Sequence, residues 1–129
     1  MRKVNAFRVS ALALALLCSS AQASLVWLNN LTIKSVRYYN DGVNDVVDVQ
    51  WNETVSSGCA YTDSNKKASY WVSFSNTTAS DRFMTLSMRF SPLQAAFAAG
   101  NKVDILVDNS VCNTALGYGT QINGVNVHN

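Results

Sequence analysis

Apolar residues recur along this chain in two distinct periods. Between Ser80 and Ala99, residues Phe83, Leu86, Phe90, Leu93 and Phe97 follow at steps of three and four, which places them on one face of a helix. Ser80 is positioned to cap the first turn, Asp81 lies where the helix dipole favours a negative charge, and Gly100 supplies a left-handed stop. Pro92 interrupts this pattern, because inside a helix it removes a hydrogen bond and crowds the preceding turn at a cost of roughly 3 kcal/mol. Two readings accommodate it. One is a long helix kinked at Pro92. The other is a shorter helix with Ser91 as cap and Pro92 in the first position, in which case Met84, Leu86, Met88 and Phe90 alternate with Thr85, Ser87 and Arg89 as a further strand.

The remaining pattern has a period of two. Ser24 to Asn30 reads as a lead-in, and a first strand runs from Leu31 to Tyr39. Asn40-Asp41-Gly42 signals a turn into a second strand, Val46 to Trp51, with Val47, Val49 and Trp51 on one face and Val46, Asp48 and Gln50 on the other. After a polar stretch, Ser69 to Ser75 forms a third strand with Tyr70, Val72 and Phe74 on one face. Trp71 points the opposite way, to an open surface or a subunit interface. Val103, Ile105 and Val107 mark a strand over 103–108, a loop covers 109–121, and Ile122 to His128 closes the chain. The order is strand, strand, strand, helix, strand, strand. It predicts a mainly β domain with one helix (α+β), a five-stranded OB-fold-like Greek-key barrel with the helix between its third and fourth strands. One short helix cannot cover a flat sheet of this size, so closure with the helix as plug is the physical solution, and this order favours the long helix.

The first residues change what the composition means. Arg2, Lys3 and Arg8 precede an apolar run from Val9 to Cys18 and the small-x-small triplet Ala21-Gln22-Ala23. This predicts a signal peptide over 1–23, cleaved after Ala23, and a secreted or periplasmic domain over 24–129. The run is shorter than the roughly 20 apolar residues of a membrane helix, so no transmembrane segment is expected. The whole chain carries a net charge of +2, but three of its ten basic residues lie in the leader, so the mature domain is near −1. Nucleic-acid binding, which rests on clustered positive charge, is not expected.

Two cysteines follow the leader, Cys59 and Cys112. In an oxidising compartment they are expected to pair, closing a loop of about 50 residues worth on the order of 4 kcal/mol. An idealised barrel of this order places the loop holding Cys59 and the loop after the fourth strand at opposite ends, so the pairing requires Cys59 to lie away from its loop's tip.

Catalytic chemistry is thinly represented. His128 is the one histidine and reads as an exposed tail residue, and Glu53 is the one glutamate. Asp41, Asp45 and Asp48 read as a solvated hairpin end, because their spacing does not match a calcium loop. Asp104 and Asp108 share a strand face without a visible partner, and there is no phosphate loop, nucleophile elbow or zinc spacing. No enzyme activity, cofactor or metal is expected. The aromatics are more telling. Trp27, Trp51, Trp71, Tyr38, Tyr39, Tyr61 and Tyr118 are many for a small domain, and they lie among Asn, Ser and Thr. Aromatic faces flanked by such hydrogen-bonding groups suit sugar rings, and Trp27, Asn30, Tyr38 and Trp71 are the candidate glycan contacts.

Gly58-Cys59 after the second strand, the run Ala95-Ala96-Phe97-Ala98-Ala99-Gly100-Asn101-Lys102-Val103-Asp104-Ile105, and Cys112 with Ile122 beyond it carry a resemblance. An exported chain with this order resembles small secreted bacterial proteins related to the B subunit of subtilase cytotoxin, a pattern spanning roughly residues 31–127. The resemblance implies a non-catalytic OB-fold subunit of an AB5 toxin, or a relative of one. It implies a pentameric homo-oligomeric ring that binds cell-surface glycans, often sialylated, with the toxic A subunit a separate chain. The alternative is a stand-alone periplasmic or secreted structural or protein-interaction domain without glycan affinity. The four candidate contacts come from the residues themselves and not from the resemblance.

Overall fold

The computed structural model describes residues 24–59 and 66–129; the expected leader and its cleavage site lie outside them. Six elements follow in the expected order: β1 (Leu25–Asn40), β2 (Asn44–Trp51), β3 (Lys67–Ser73), α1 (Ala79–Ala99), β4 (Lys102–Asn113) and β5 (Gly119–Val127). The domain is mainly β with one helix. Its five strands close in a ring in the order β1-β2-β3-β5-β4, with β4 returning to β1. All neighbours are antiparallel except β3 and β5, which run parallel.

Ring closure depends on the length of β1. Its second half pairs with β2 (Ile33 opposite Trp51, Tyr38 opposite Val47) and its first half with β4 (Trp27 opposite Leu106, Leu31 opposite Val103). The segment read as a lead-in is therefore the half of β1 that closes the sheet. Inward positions alternate as a half-buried sheet requires. Leu28, Leu31, Ile33, Val47, Val49, Trp51, Ala68, Val103, Ile105, Val107 and Ile122 form one core with Leu86, Leu93 and Ala96 of the helix.

The helix is a single 21-residue element that runs through Pro92, which overturns the strand alternative for residues 84–90. Its cap is Thr78 rather than Ser80: the Thr78 hydroxyl accepts from the Asp81 N–H at 3.2 Å and donates to the Asp81 carboxylate at 2.7 Å. Gly100, at φ 71°, ends it, and the Asn101 N–H reaches back to the Ala96 carbonyl at 2.9 Å, which closes the last turn. The buried stripe is narrower than the periodicity indicates. Leu86, Leu93 and Ala96 face the core, Phe90 sits at its edge, and Phe83 (75% exposed) and Phe97 (48%) face outward. The other rim belongs to Arg82 and Arg89. Their guanidinium groups lie over the rings of Phe74 and Tyr70 at 4.7 and 3.7 Å. Two polar side chains thus occupy interior-facing positions that an apolar count leaves out.

Cys59 and Cys112 form a disulfide with Cα atoms 5.7 Å apart. The opposite-ends geometry is wrong for this ring. Because β4 is antiparallel to β1, with Leu25 opposite Asp108, β4 ends where β1 begins, and that is also where β2 ends. Moreover β4 runs on to Asn113, and β5 starts at Gly119 with Cys112 opposite Thr120. The bond ties the β2–β3 connection to the β4 extension at one end of the ring.

This tie explains a second departure. Val46, Asp48, Lys67 and Ser69 point outward, yet all are buried. Tyr118, 1% exposed, folds over them: its ring lies 5.2 Å from that of Trp71, and its carbonyl accepts from the Ser69 hydroxyl at 2.6 Å. Asn44 donates to the Tyr118 hydroxyl, which donates in turn to Asp41. Asp48, fully buried, receives the Arg37 guanidinium on both oxygens at 2.9 and 2.6 Å and the Lys67 ammonium at 3.3 Å. Asp45 pairs with Arg82 at 3.1 Å. The three aspartates read as a solvated hairpin end are instead engaged in these contacts, two of them buried.

Candidate functional site

The outer face of the sheet is open where β1, β4 and β5 lie side by side. Three cross-strand rows define it. The first is Trp27, Leu106 and Gly124. A Cβ added at Gly124 would meet Trp27 Cη2 at 3.7 Å and Leu106 Cβ at 3.4 Å, ordinary contact distances that place the indole directly beside this position. The indole thus rests over Leu106 and Gly124 with 46% of the residue exposed.

A β-bulge makes the second row. Leu28 faces Ile105 and Leu31 faces Val103, so Asn29 and Asn30 together oppose the single residue Asp104. Asn30 takes up the extra residue in the left-handed region, at φ 59°, a conformation asparagine tolerates better than most residues. Its N–H is thereby aimed at Asp104 Oδ1, at 2.7 Å. On the other side Asn126 donates to Asp104 Oδ2 at 3.2 Å, and His128 Nε2 lies 2.9 Å from the same oxygen. The hydrogen bond from His128 and then that from Asn30 hold the Asp104 carboxyl below the usual carboxylate range. His128 is accordingly no free tail residue. Its N–H bonds the Lys102 carbonyl at 2.9 Å, and its ring completes the Asp104 cluster.

The third row is ionic. Lys102 donates to Thr32 Oγ1 at 2.9 Å, Glu53 Oε1 at 3.2 Å and the Asn30 carbonyl at 3.4 Å. Glu53 also accepts from the Thr32 N–H and hydroxyl at 2.8 and 2.7 Å. Burial works against its charge, but these bonds prevail and lower its pKa to about 2. Between the first two rows lies a shallow depression of about 250 Å³, lined by Trp27, Asn29, Asp104 and Asn126.

The four candidate contacts do not converge. Trp27 and Asn30 belong to this face, the first as its aromatic wall and the second through its backbone. Tyr38 is at the far end of β1, bonded to Asp45 at 3.1 Å and 6.0 Å from the Phe90 ring; with Phe83, Leu86, Ser87 and Phe90 it lines a separate apolar groove of about 210 Å³. Trp71 points outward as expected but lies half-buried under Tyr118 instead of at an open surface. Tyr61 is outside the described residues. Sequence reasoning missed Asn29, Asp104, Asn126 and Gly124 as parts of one site. The available signal was the three-residue step from Leu28 to Leu31, which breaks the period of two and marks a bulge.

Asp104 and Asp108 do not act as a pair. Asp108 turns to the Ser110 N–H at 3.0 Å, while Asp104 is held by its own three partners. Among the described residues there is no group of three or more metal-ligating side chains placed to hold an ion, and no helix is long and apolar enough to cross a membrane. Comparison with protein-family models and with curated proteins finds no match to this chain.

Proposed function

We propose that this chain is a secreted or periplasmic, non-catalytic glycan-binding module of OB-fold type, a relative of the AB5-toxin B subunits it resembles. The strand order of the ring, with the helix between β3 and β4, supports the OB-fold reading. The observation that carries the binding reading is the exposed indole of Trp27 beside a rigidly held carboxylate and two amides in one depression. An aromatic plane takes the C–H face of a sugar ring, and adjacent polar groups fix its hydroxyls. The test is a glycan array probed with the purified exported protein and with Trp27→Ala. Binding to at least one glycan, lost in the variant at an unchanged unfolding midpoint, is the expected result, and an array without signal refutes the reading.

Ring assembly belongs to the same proposal. It is supported by an outer helix surface that exposes Phe83, Met84 (58%) and Met88 (70%), apolar side chains that a subunit contact would cover. The same surface also favours the second reading, a protein-interaction domain without glycan affinity. Solution mass by light scattering separates them. A mass near five subunits supports the toxin-like ring, whereas a monomer without any ligand favours the second.

A further inference from the structure

Resting on the glycan-binding reading, we propose that the Trp27 depression takes an uncharged hexose unit, one that donates a hydroxyl proton to Asp104, and discriminates against sialic acid. The argument is a count of unused hydrogen-bonding capacity. A carboxylate oxygen has two acceptor positions. Asp104 Oδ2 spends both, on Asn126 and His128, whereas Oδ1 spends one, on the Asn30 N–H. One acceptor position at a fixed, ionised oxygen therefore remains. The natural occupant is an O–H donor, because a hydroxyl bonded to a carboxylate makes one of the stronger hydrogen bonds. Hexose hydroxyls are such donors; those of sialic acid are too, but its carboxylate is not, and that group is what sets it apart.

Charge points the same way. The depression is lined by Trp27, Asn29, Asp104 and Asn126, whose only formal charge is negative. The nearest cation on this face, Lys102, directs its ammonium to Thr32, Glu53 and the Asn30 carbonyl, which uses all three of its protons. Glu53 beside it cancels its charge. A sialic acid seated on Trp27 would bring a second carboxylate to Asp104, and the lining of the depression offers no cation to receive it. Two like charges about 6 Å apart near a protein surface, screened by salt at physiological ionic strength, weaken binding roughly tenfold. Asn29 and Asn126 can both donate and accept, so they suit either face of a hydroxyl.

The experiment is saturation-transfer NMR on the exported protein, followed by titration, with the methyl glycosides of galactose, glucose, mannose, N-acetylglucosamine, N-acetylgalactosamine and N-acetylneuraminic acid, each up to millimolar concentration. At least one neutral glycoside should bind, with the neuraminic acid glycoside roughly tenfold weaker or undetected. Asp104→Asn, which retains the acceptor but removes its charge, should weaken the neutral ligand about tenfold and should not weaken the acidic one. Should that variant fail to fold, Trp27→Ala at its exposed position serves instead and should abolish the neutral signal. Tighter binding of the neuraminic acid glycoside overturns the inference and leaves the glycan reading standing. Neutral binding that is indifferent to Trp27 overturns the placement of the site. Silence across the whole panel removes both the inference and the reading beneath it.

Discussion

Removing the disulfide should cost this domain a large part of its stability, and the size of the loss follows from chain geometry. Cys59 and Cys112 are 53 residues apart in sequence. In the chain-entropy account a cross-link closing a loop of that length removes about 4 kcal/mol worth of freedom from the unfolded chain at 25 °C. Cys59 is also 1% exposed, so Cys59→Ala leaves a small void and adds about 1 kcal/mol. The double variant Cys59→Ala/Cys112→Ala should thus lose about 4–5 kcal/mol, against a total of roughly 5–15 kcal/mol for a domain of this kind. Urea unfolding followed by tryptophan fluorescence measures it, with the unreduced, disulfide-bonded protein as reference. The denaturant slope should rise as well, because an uncrosslinked unfolded chain exposes more surface. A loss below about 1 kcal/mol with an unchanged slope would refute the reasoning. It would mean that the unfolded chain keeps enough residual structure to be as constrained without the bond as with it.

Three further outcomes are expected. Leu93→Ala, at a helix position with no exposed surface inside the ring, should cost about 3–5 kcal/mol in the same urea assay, while Phe83→Ala, 75% exposed, should leave the midpoint of an unassembled chain nearly unchanged. Glu53 has its pKa lowered from 4.5 to about 2, so its contribution to stability is complete above pH 4.5 and is lost as the pH falls toward 2. The full shift corresponds to about 3 kcal/mol, which partial exposure of the carboxylate reduces to about 1–2 kcal/mol. Glu53→Gln should therefore flatten that part of the acid-unfolding curve.

Periodicity reported faithfully which side of each strand meets the core. Val47, Val49 and Trp51 face inward as the alternation of β2 requires, and so do Tyr70 and Val72 of β3. It could not report what covers the other side. Val46 and Asp48 alternate with those residues as solvent-facing positions should, and are buried because Tyr118, some 70 residues later in the chain, folds over them. Helical spacing was informative to the same degree. It grouped Phe83, Leu86, Phe90, Leu93 and Phe97, but these form two adjacent stripes, and only the stripe of Leu86 and Leu93 points at the core. Arg82 and Arg89 flank the buried stripe and lie over the rings of Phe74 and Tyr70, partners that spacing within the helix does not reveal. Pro92 weighed against a helix that tertiary burial of Leu93 and Ala96 nonetheless sustains.

The candidate site was half-legible for a related reason. Trp27 stands out as a residue, but its surroundings depend on register: only the pairing of β1 with β4, and of β4 with β5, brings Asn29, Asp104, Asn126 and Gly124 to it. That register also accounts for why the site lies on this face. The tied-down connection carrying Tyr118 covers the outer side of β2 and β3, and α1 packs against the core through Leu86, Leu93 and Ala96. What stays open is the outer side where β1 crosses to β4 and β5. There the bulge at Asn29-Asn30 turns a backbone N–H onto Asp104 and keeps its carboxylate fixed beside the indole. A bulge interrupts the ladder where it occurs, and here the interruption places the aromatic plane and the fixed acceptor side by side on the uncovered part of the ring.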